Sequence, residues 1–122
     1  MTIPSVMSIL IVDDHPSFRA SARRLLEAEG FDVVGEAGDG RAAIAAAQEL
    51  QPDLVLLDVQ LPDLDGFEVA TRLAALGLPS AVILTSSRNP TEYGPLDAGA
   101  AVRGFVPKAE LSGAVLAGLL AS

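Results

Sequence analysis

Short apolar runs alternate along the chain with longer segments of helical period, and this alternation constrains the fold more than any other feature. The runs are Ser8 to Val12 (SILIV), Phe31 to Ala37 (FDVVGEA), Asp53 to Asp58 (DLVLLD), Ser80 to Thr85 (SAVILT) and Gly104 to Val106 (GFV). Five strands alternating with five helices predict an α/β fold, a parallel sheet covered by helices on both faces.

The helices carry their own punctuation. Pro16 suits the first position of a helix, where its missing N–H would be unpaired anyway, and Phe18, Ala22, Leu25 and Leu26 share one face before Gly30 stops it. The second helix is expected to start at Asp39-Gly40, to present Ile44 and Ala47 inward and to end before Pro52. The third follows Asp65, with Phe67, Ala70, Leu73 and Ala74 inward and Gly77 as terminator. A fourth starts well at Asn89-Pro90, but Gly94-Pro95 falls where its interior should continue, which predicts a short, broken or shifted helix. The last places Leu111, Val115 and Leu119 on one stripe, with Leu116 and Leu120 well round from it, more apolar surface than one sheet face needs.

At 122 residues the chain suits one domain with its own core, so a single domain over 1–122 without a separate output domain is expected. Half the residues are apolar but only 4% are aromatic, so Ala, Val, Leu and Ile must build the core. A net charge of -8 disfavours electrostatic binding to nucleic acid or anionic membranes, which needs clustered Lys and Arg, and suits a divalent cation instead. The absence of Cys removes disulfides, thiolate zinc sites and thiol nucleophiles, and is compatible with a reducing cytoplasm. The opening MTIPSVM lacks a basic segment, and ILIV is too short for a signal peptide or a membrane span, so a soluble cytoplasmic protein is expected.

In open parallel sheets, ligands bind beyond the C-terminal ends of the strands. Those ends are Asp13-Asp14-His15, Asp58, Thr85-Ser86-Ser87 and Pro107-Lys108, which gather carboxylates, hydroxyls and an ammonium on one edge. Carboxylates forced together raise one another's pKa unless a cation neutralises them, and Mg2+ is satisfied by a few protein oxygens plus water or phosphate. Lys108 is the sole lysine beside seven arginines, and a compact ammonium suits a single anionic oxygen. A carboxylate that attacks phosphorus becomes an aspartyl phosphate, a transfer helped by positioning and by nearby cations. Asp58, ending the central buried strand, is the best nucleophile.

The segments ILIVDDHP, LVLLDVQLPDLDG, VILTSS and GFVPK, in this order, resemble the receiver domain of two-component response regulators over nearly the whole chain. The resemblance implies a (βα)5 doubly wound, flavodoxin-like sheet of strand order 2-1-3-4-5. It implies a phosphorylation-controlled signalling switch rather than a turnover enzyme. Asp58 matches the phosphoacceptor; Asp13 and Asp14 match the acidic pair that binds Mg2+ together with Asp58, and Gln60 falls where the family uses a backbone carbonyl as metal ligand. Pro62 and Gly66 match the following loop, Thr85 the switch hydroxyl, Lys108 the phosphate-binding lysine and Phe105 the aromatic whose rotamer reports phosphorylation. The implied partners are a histidine kinase or phosphotransfer protein and a downstream protein, with self-association through helix four, strand five and helix five.

The bland readings stand beside these. Asp53 reads as a solvated turn residue, Asp63 as solvated loop, and Asp65 as an N-cap with Glu68 near a capping box. His15 reads as an N-cap or solvent-facing residue rather than a metal ligand. The GEAGDG stretch from Gly35 to Gly40 lacks dinucleotide-loop spacing and reads as a turn, which disfavours a nucleotide or flavin. DDHP resembles the branch that often carries a helix-turn-helix domain, so a receiver cut from a longer transcription factor is the alternative to a stand-alone one. A phosphorylation-independent interaction module remains, as does a Mg2+-dependent phosphatase, although no D-x-D follows the first strand.

Overall fold

In the computed structural model, which describes residues 7–87 and 102–121, the apolar runs become five parallel strands in one sheet of order β2-β1-β3-β4-β5. They are β1 (Ser8–Val12), β2 (Asp32–Ala37), β3 (Leu54–Asp58), β4 (Ala81–Ser86) and β5 (Val102–Pro107). The first half of GEAGDG thus completes β2, and only its second half turns into the next helix. β5 is longer than its apolar residues indicate, because pairing with β4 from Val82↔Val102 to Ser86↔Pro107 recruits the exposed Arg103 and the terminal Pro107. Backbone pairing, rather than side-chain hydrophobicity, defines this edge strand.

Three helices follow the first three strands: α1 (Pro16–Ala28), α2 (Gly40–Leu50) and α3 (Gly66–Ala75). A 3-10 turn (Lys108–Glu110) leads from β5 to the C-terminal helix (Gly113–Ala121). The expected fourth helix, with Asn89, Gly94 and Pro95, lies outside the described residues. None of the described helices is long and apolar enough to cross a membrane.

Side chains alternate between the two faces of a strand, and the core divides accordingly. Leu10, Val12, Val55, Leu57, Val82 and Leu84 pack with α2 and α3. Ile9, Ile11, Leu54, Leu56, Ile83 and Val106 pack on the other face with Ala22 and Leu26 of α1 and Leu116 of the C-terminal helix. Burial on both faces explains why the strands read as unbroken apolar runs.

Helix limits agree with the expected punctuation. Pro16 opens α1, Asp39 caps α2 through Ala42 N (2.7 Å), and Gly30 and Gly77 take φ of 95° and 70° just past α1 and α3. The inward faces need correction. Leu25 is 36% exposed, because α1 presents the narrow line through Ala22 and Leu26. In α3 the core line runs through Gly66, Val69, Ala70 and Leu73; Ala74 lies outside it, exposed, and Phe67 is half-buried. The C-terminal helix is turned from its expected stripe: Leu116 is fully buried while Val115 is 39% exposed. Its start explains this, since Ser112 Oγ accepts from Val115 N (3.1 Å) and delays the first turn beyond Leu111. Leu119 packs directly over Gly104, where an added Cβ would come within 2.8 Å of its Cδ2.

Leu116→Ala should therefore cost about 2–5 kcal/mol, whereas Val115→Ala should stay within about 0.5 kcal/mol. Urea denaturation of both variants checks this, and the reverse ranking would mean that the helix is rotated.

Candidate functional site

The register sets four polar side chains on one face at the C-terminal edge of the sheet. β3 pairs with β4 so that Asp58 lies beside Thr85. Asp58 and Thr85 continue the alternation of Leu54, Leu56 and Ile83, and Asp13 and Lys108 continue that of Ile11 and Val106 just past their strands, on the side covered by α1. Phe105 belongs to the opposite face, half-buried against the core shared with α2 and α3. Two residues expected to act together, Thr85 and Phe105, thus occupy opposite sides of the sheet.

Asp13 is fully buried and Asp58 only 3% exposed. Lys108 bridges them, its Nζ 2.5 Å from Asp13 Oδ2 and 3.3 Å from Asp58 Oδ2. Asp58 Oδ1 accepts a hydrogen bond from Gln60 N (3.1 Å). Burial pushes the Asp58 carboxyl above its ordinary value, opposed by the Gln60 N–H, reinforced by the Asp13 charge and opposed again by Lys108. Burial alone would lower the Lys108 ammonium, but its hydrogen bond to Asp13 and the two carboxylate charges outweigh this and hold it above its ordinary value. Thr85 Oγ1 is buried without a hydrogen-bond partner among the described residues.

These groups fit a hard dication. Asp13, Asp14, His15 and Asp58 each bring one ligand atom into a cluster whose members lie within 4.8 Å of one another. Three carboxylates against the single Lys108 ammonium leave an excess of negative charge that a dication would neutralise.

The chain over residues 9–117 matches the family model described as the response regulator receiver domain. It is a receiver domain. Its sequence is 45% identical over 104 residues to the virulence-factor transcription regulator BvgA of Bordetella pertussis, covering 84% of this chain and 49% of that protein. It is 32% identical over 116 residues to the DNA-binding transcriptional activator EvgA of Escherichia coli, covering 95% and 57%. The receiver thus spans about half the length of the curated relatives it matches. Its structure is similar to the signal receiver domain of the response regulator NarL from Mycobacterium tuberculosis, with a TM-score of 0.83, 35% identity and coverage of 98% of this chain and 100% of that one. Phosphorylation and Mg2+ binding at an acidic pocket are general features of the family.

Several residues around the receiver's acidic pocket escape a reading by motif. His15 occupies the N-cap position of α1 without a side-chain cap bond; instead its Nδ1 lies 3.0 Å from Asp13 Oδ1 and 3.1 Å from Asp14 Oδ1. One turn on, Arg19 Nη1 donates to the Asp13 carbonyl (2.6 Å), and the Phe18 ring lies under Lys108, 4.5 Å from Nζ to centroid. The usable signal was helical spacing, since residues three and four beyond His15 face back to the same strand end.

The loop after Asp58 also needs correction. Asp63 is a second cap for α2: Oδ1 accepts from Gly40 N (2.7 Å) and Leu64 N (2.8 Å), and Oδ2 from Arg41 N (3.0 Å). Asp65 caps α3 as expected through Glu68 N (2.8 Å), while the Glu68 carboxylate faces Arg72 instead of closing a capping box. Gly66 N donates to the Val59 carbonyl, and a Cβ at Gly66 would meet the Asp58 carbonyl oxygen at 2.5 Å. Asp53 likewise is more than a solvated turn residue, because its Oδ2 accepts from Ser8 N (2.9 Å) and ties the lead-in of β3 to β1.

The hydrogen bond from Gly40, opposed by a smaller desolvation effect and aided by those from Arg41 and Leu64, lowers the Asp63 carboxyl below its ordinary value of 3.8. A depressed folded-state pKa stabilises fully above the unfolded value and is lost as pH falls through the folded one. Asp63→Asn should therefore lower stability at neutral pH, with the deficit closing below 3.8; denaturation at stepped pH measures it, and a deficit constant with pH would contradict the charge-based cap. Gly66→Ala should cost about 1–3 kcal/mol by overpacking the loop against the end of β3, read by the same denaturation.

Proposed function

We propose that this receiver is a phosphorylation-controlled switch that takes a phosphoryl group onto Asp58 from a histidine kinase or phosphotransfer protein. The observation that carries the reading is the nearly solvent-free Asp58 carboxylate held between Lys108 and the Gln60 N–H, with the Thr85 hydroxyl, unpartnered among the described residues, alongside. A carboxylate oxygen of Asp58 attacks phosphorus, the bond from phosphorus to the donor nitrogen breaks, and that nitrogen leaves with the electron pair and takes up a proton. Gln60 N–H holds the carboxylate in orientation. Lys108 transfers from the Asp58 carboxylate to a phosphoryl oxygen, and Thr85 donates to another. Asp13, Asp14, Asp58 and the Gln60 carbonyl would hold Mg2+, which when bound neutralises charge on the transferring oxygens.

The drawing of Thr85 and Lys108 to new oxygens biases β5, with Phe105, and the C-terminal helix toward a second arrangement read by a downstream protein or a second copy of the chain. A second reading concerns what the receiver controls. BvgA and EvgA are transcription regulators of which this chain matches about half, which favours a receiver that governs DNA binding by an attached module over a stand-alone one.

Incubation with a small-molecule phosphodonor and Mg2+ should add one phosphoryl group by intact mass, and Asp58→Ala should abolish the addition. Lys108→Ala should keep the Mg2+ dependence but slow the addition or blunt the change in association that follows it. An unmodified wild type, or undiminished addition to the Asp58 variant, would sink the mechanism, while continuous turnover of a phosphate ester would point to a phosphatase.

A further inference from the structure

The chain's sole histidine stands at the acidic pocket, on its solvent side. The His15 ring is 65% exposed, yet its Nδ1 lies 3.0 Å from Asp13 Oδ1 and 3.1 Å from Asp14 Oδ1. Its ligand atom falls within the same 4.8 Å cluster as that of Asp58. Two donor atoms at right angles, each about 2.1 Å from one octahedral centre, are separated by about 3.0 Å. The imidazole nitrogen therefore stands at the spacing of an adjacent ligand pair with either carboxylate. That the pocket takes a ligand beyond the protein's own groups is supported independently by Thr85, whose fully buried hydroxyl has no partner among the described residues.

We propose that His15 is a nitrogen ligand of the dication site, and that it biases the site toward imidazole-preferring transition dications such as Co2+, Ni2+ and Zn2+ relative to Mg2+. The proposal rests on reading the acidic pocket as a dication site. Carboxylate and carbonyl oxygens alone favour Mg2+, Ca2+ and Mn2+, while one imidazole shifts preference toward metals later in the row. As a metal ligand the neutral ring would offer the Nδ1 lone pair and carry its hydrogen on Nε2. The backbone contributes as well, since His15 N donates to Asp13 Oδ1 (2.8 Å), fixing the base of the ring against the carboxylate it would share the metal with.

An N–H···O contact has the same 3 Å spacing, so the test reads nitrogen coordination directly. Tag-free protein is titrated with Co2+ and, separately, with Mg2+, followed by proton NMR, alongside His15→Gln and Asp13→Asn. With one histidine in the chain, a hyperfine-shifted, exchangeable ring N–H in the Co2+ form is His15 Nε2–H without further assignment. The expected result is that this signal is present in the wild type and absent in His15→Gln, which binds Co2+ at least about tenfold more weakly with Mg2+ affinity essentially unchanged. Equal changes for both metals, tighter binding of both, or a Co2+ form without the shifted ring proton would overturn the proposal while leaving the dication site intact. Absence of binding in the wild type, or undiminished binding in Asp13→Asn, would remove the dication site itself and the proposal with it. Because His15 is exposed and contributes nothing to either core cluster, its replacement does not put folding at risk.

Discussion

Two carboxylates with almost no access to solvent, Asp13 and Asp58, share one ammonium, and the edge of the sheet is arranged around that compromise. Removing such groups from water costs several kcal/mol each unless charge and hydrogen bonds compensate. Lys108 can compensate only because β1, β3 and β5 bring their ends to one level on one face, and because the 3-10 turn starts immediately after Pro107. α1 completes the arrangement, with Phe18 beneath the ammonium and Arg19 on the carbonyl of Asp13. Hydrophobic packing of α1 through Ala22 and Leu26 is thus what holds the electrostatics in register.

The same compromise leaves the site responsive. Lysine already divides its attention between two anions, so a further anion bonded to Asp58 competes for it rather than creating a demand from nothing. Thr85 has a buried donor with no partner among the described residues, a cost of the order of 1–3 kcal/mol that a phosphoryl oxygen would relieve. Both effects push the same way, toward an arrangement in which the ends of β4 and β5 are drawn to the new group. Phe105, on the opposite face of β5 from Lys108, lies where such a displacement would be felt on the side of the sheet that α2 and α3 cover.

Much of this was legible in the residues because burial on both faces writes strands as apolar runs, and because polar residues at strand ends have few structural reasons to be there. Asp13, Asp58, Thr85 and Lys108 were found in that way, and the parallel register then brought them together. Helix orientation was less legible. Apolar residues such as Leu25, Ala74 and Val115 fall on helical stripes without being buried, since each helix meets the sheet along a line narrower than its apolar arc. Asp63 and Asp53 were illegible for a different reason: their partners, Gly40 and Ser8, are 23 and 45 residues away, and a carboxylate on a distant backbone N–H leaves no local pattern. His15 does stand at the start of α1 and largely in solvent, as its position indicates, while its contacts with Asp13 and Asp14 leave no mark in the sequence beyond adjacency.

The segment between Asp58 and Gly66 is anchored at both ends and in its middle, by Gly66 on Val59, Asp65 on α3 and Asp63 on α2. It therefore works as a ruler of fixed length. One extra residue would displace either the α2 clasp or the close passage of Gly66 over β3, whereas the exposed turn around Gly77 bonds back to the end of α3, through Gly77 N on the Ala74 carbonyl and Leu78 N on the Leu73 carbonyl. Natural variation in length should accordingly be tolerated around Gly77 and excluded beside Asp58, so the spacing from Asp58 to Gly66 is a stricter mark of this architecture than the identity of any residue between them.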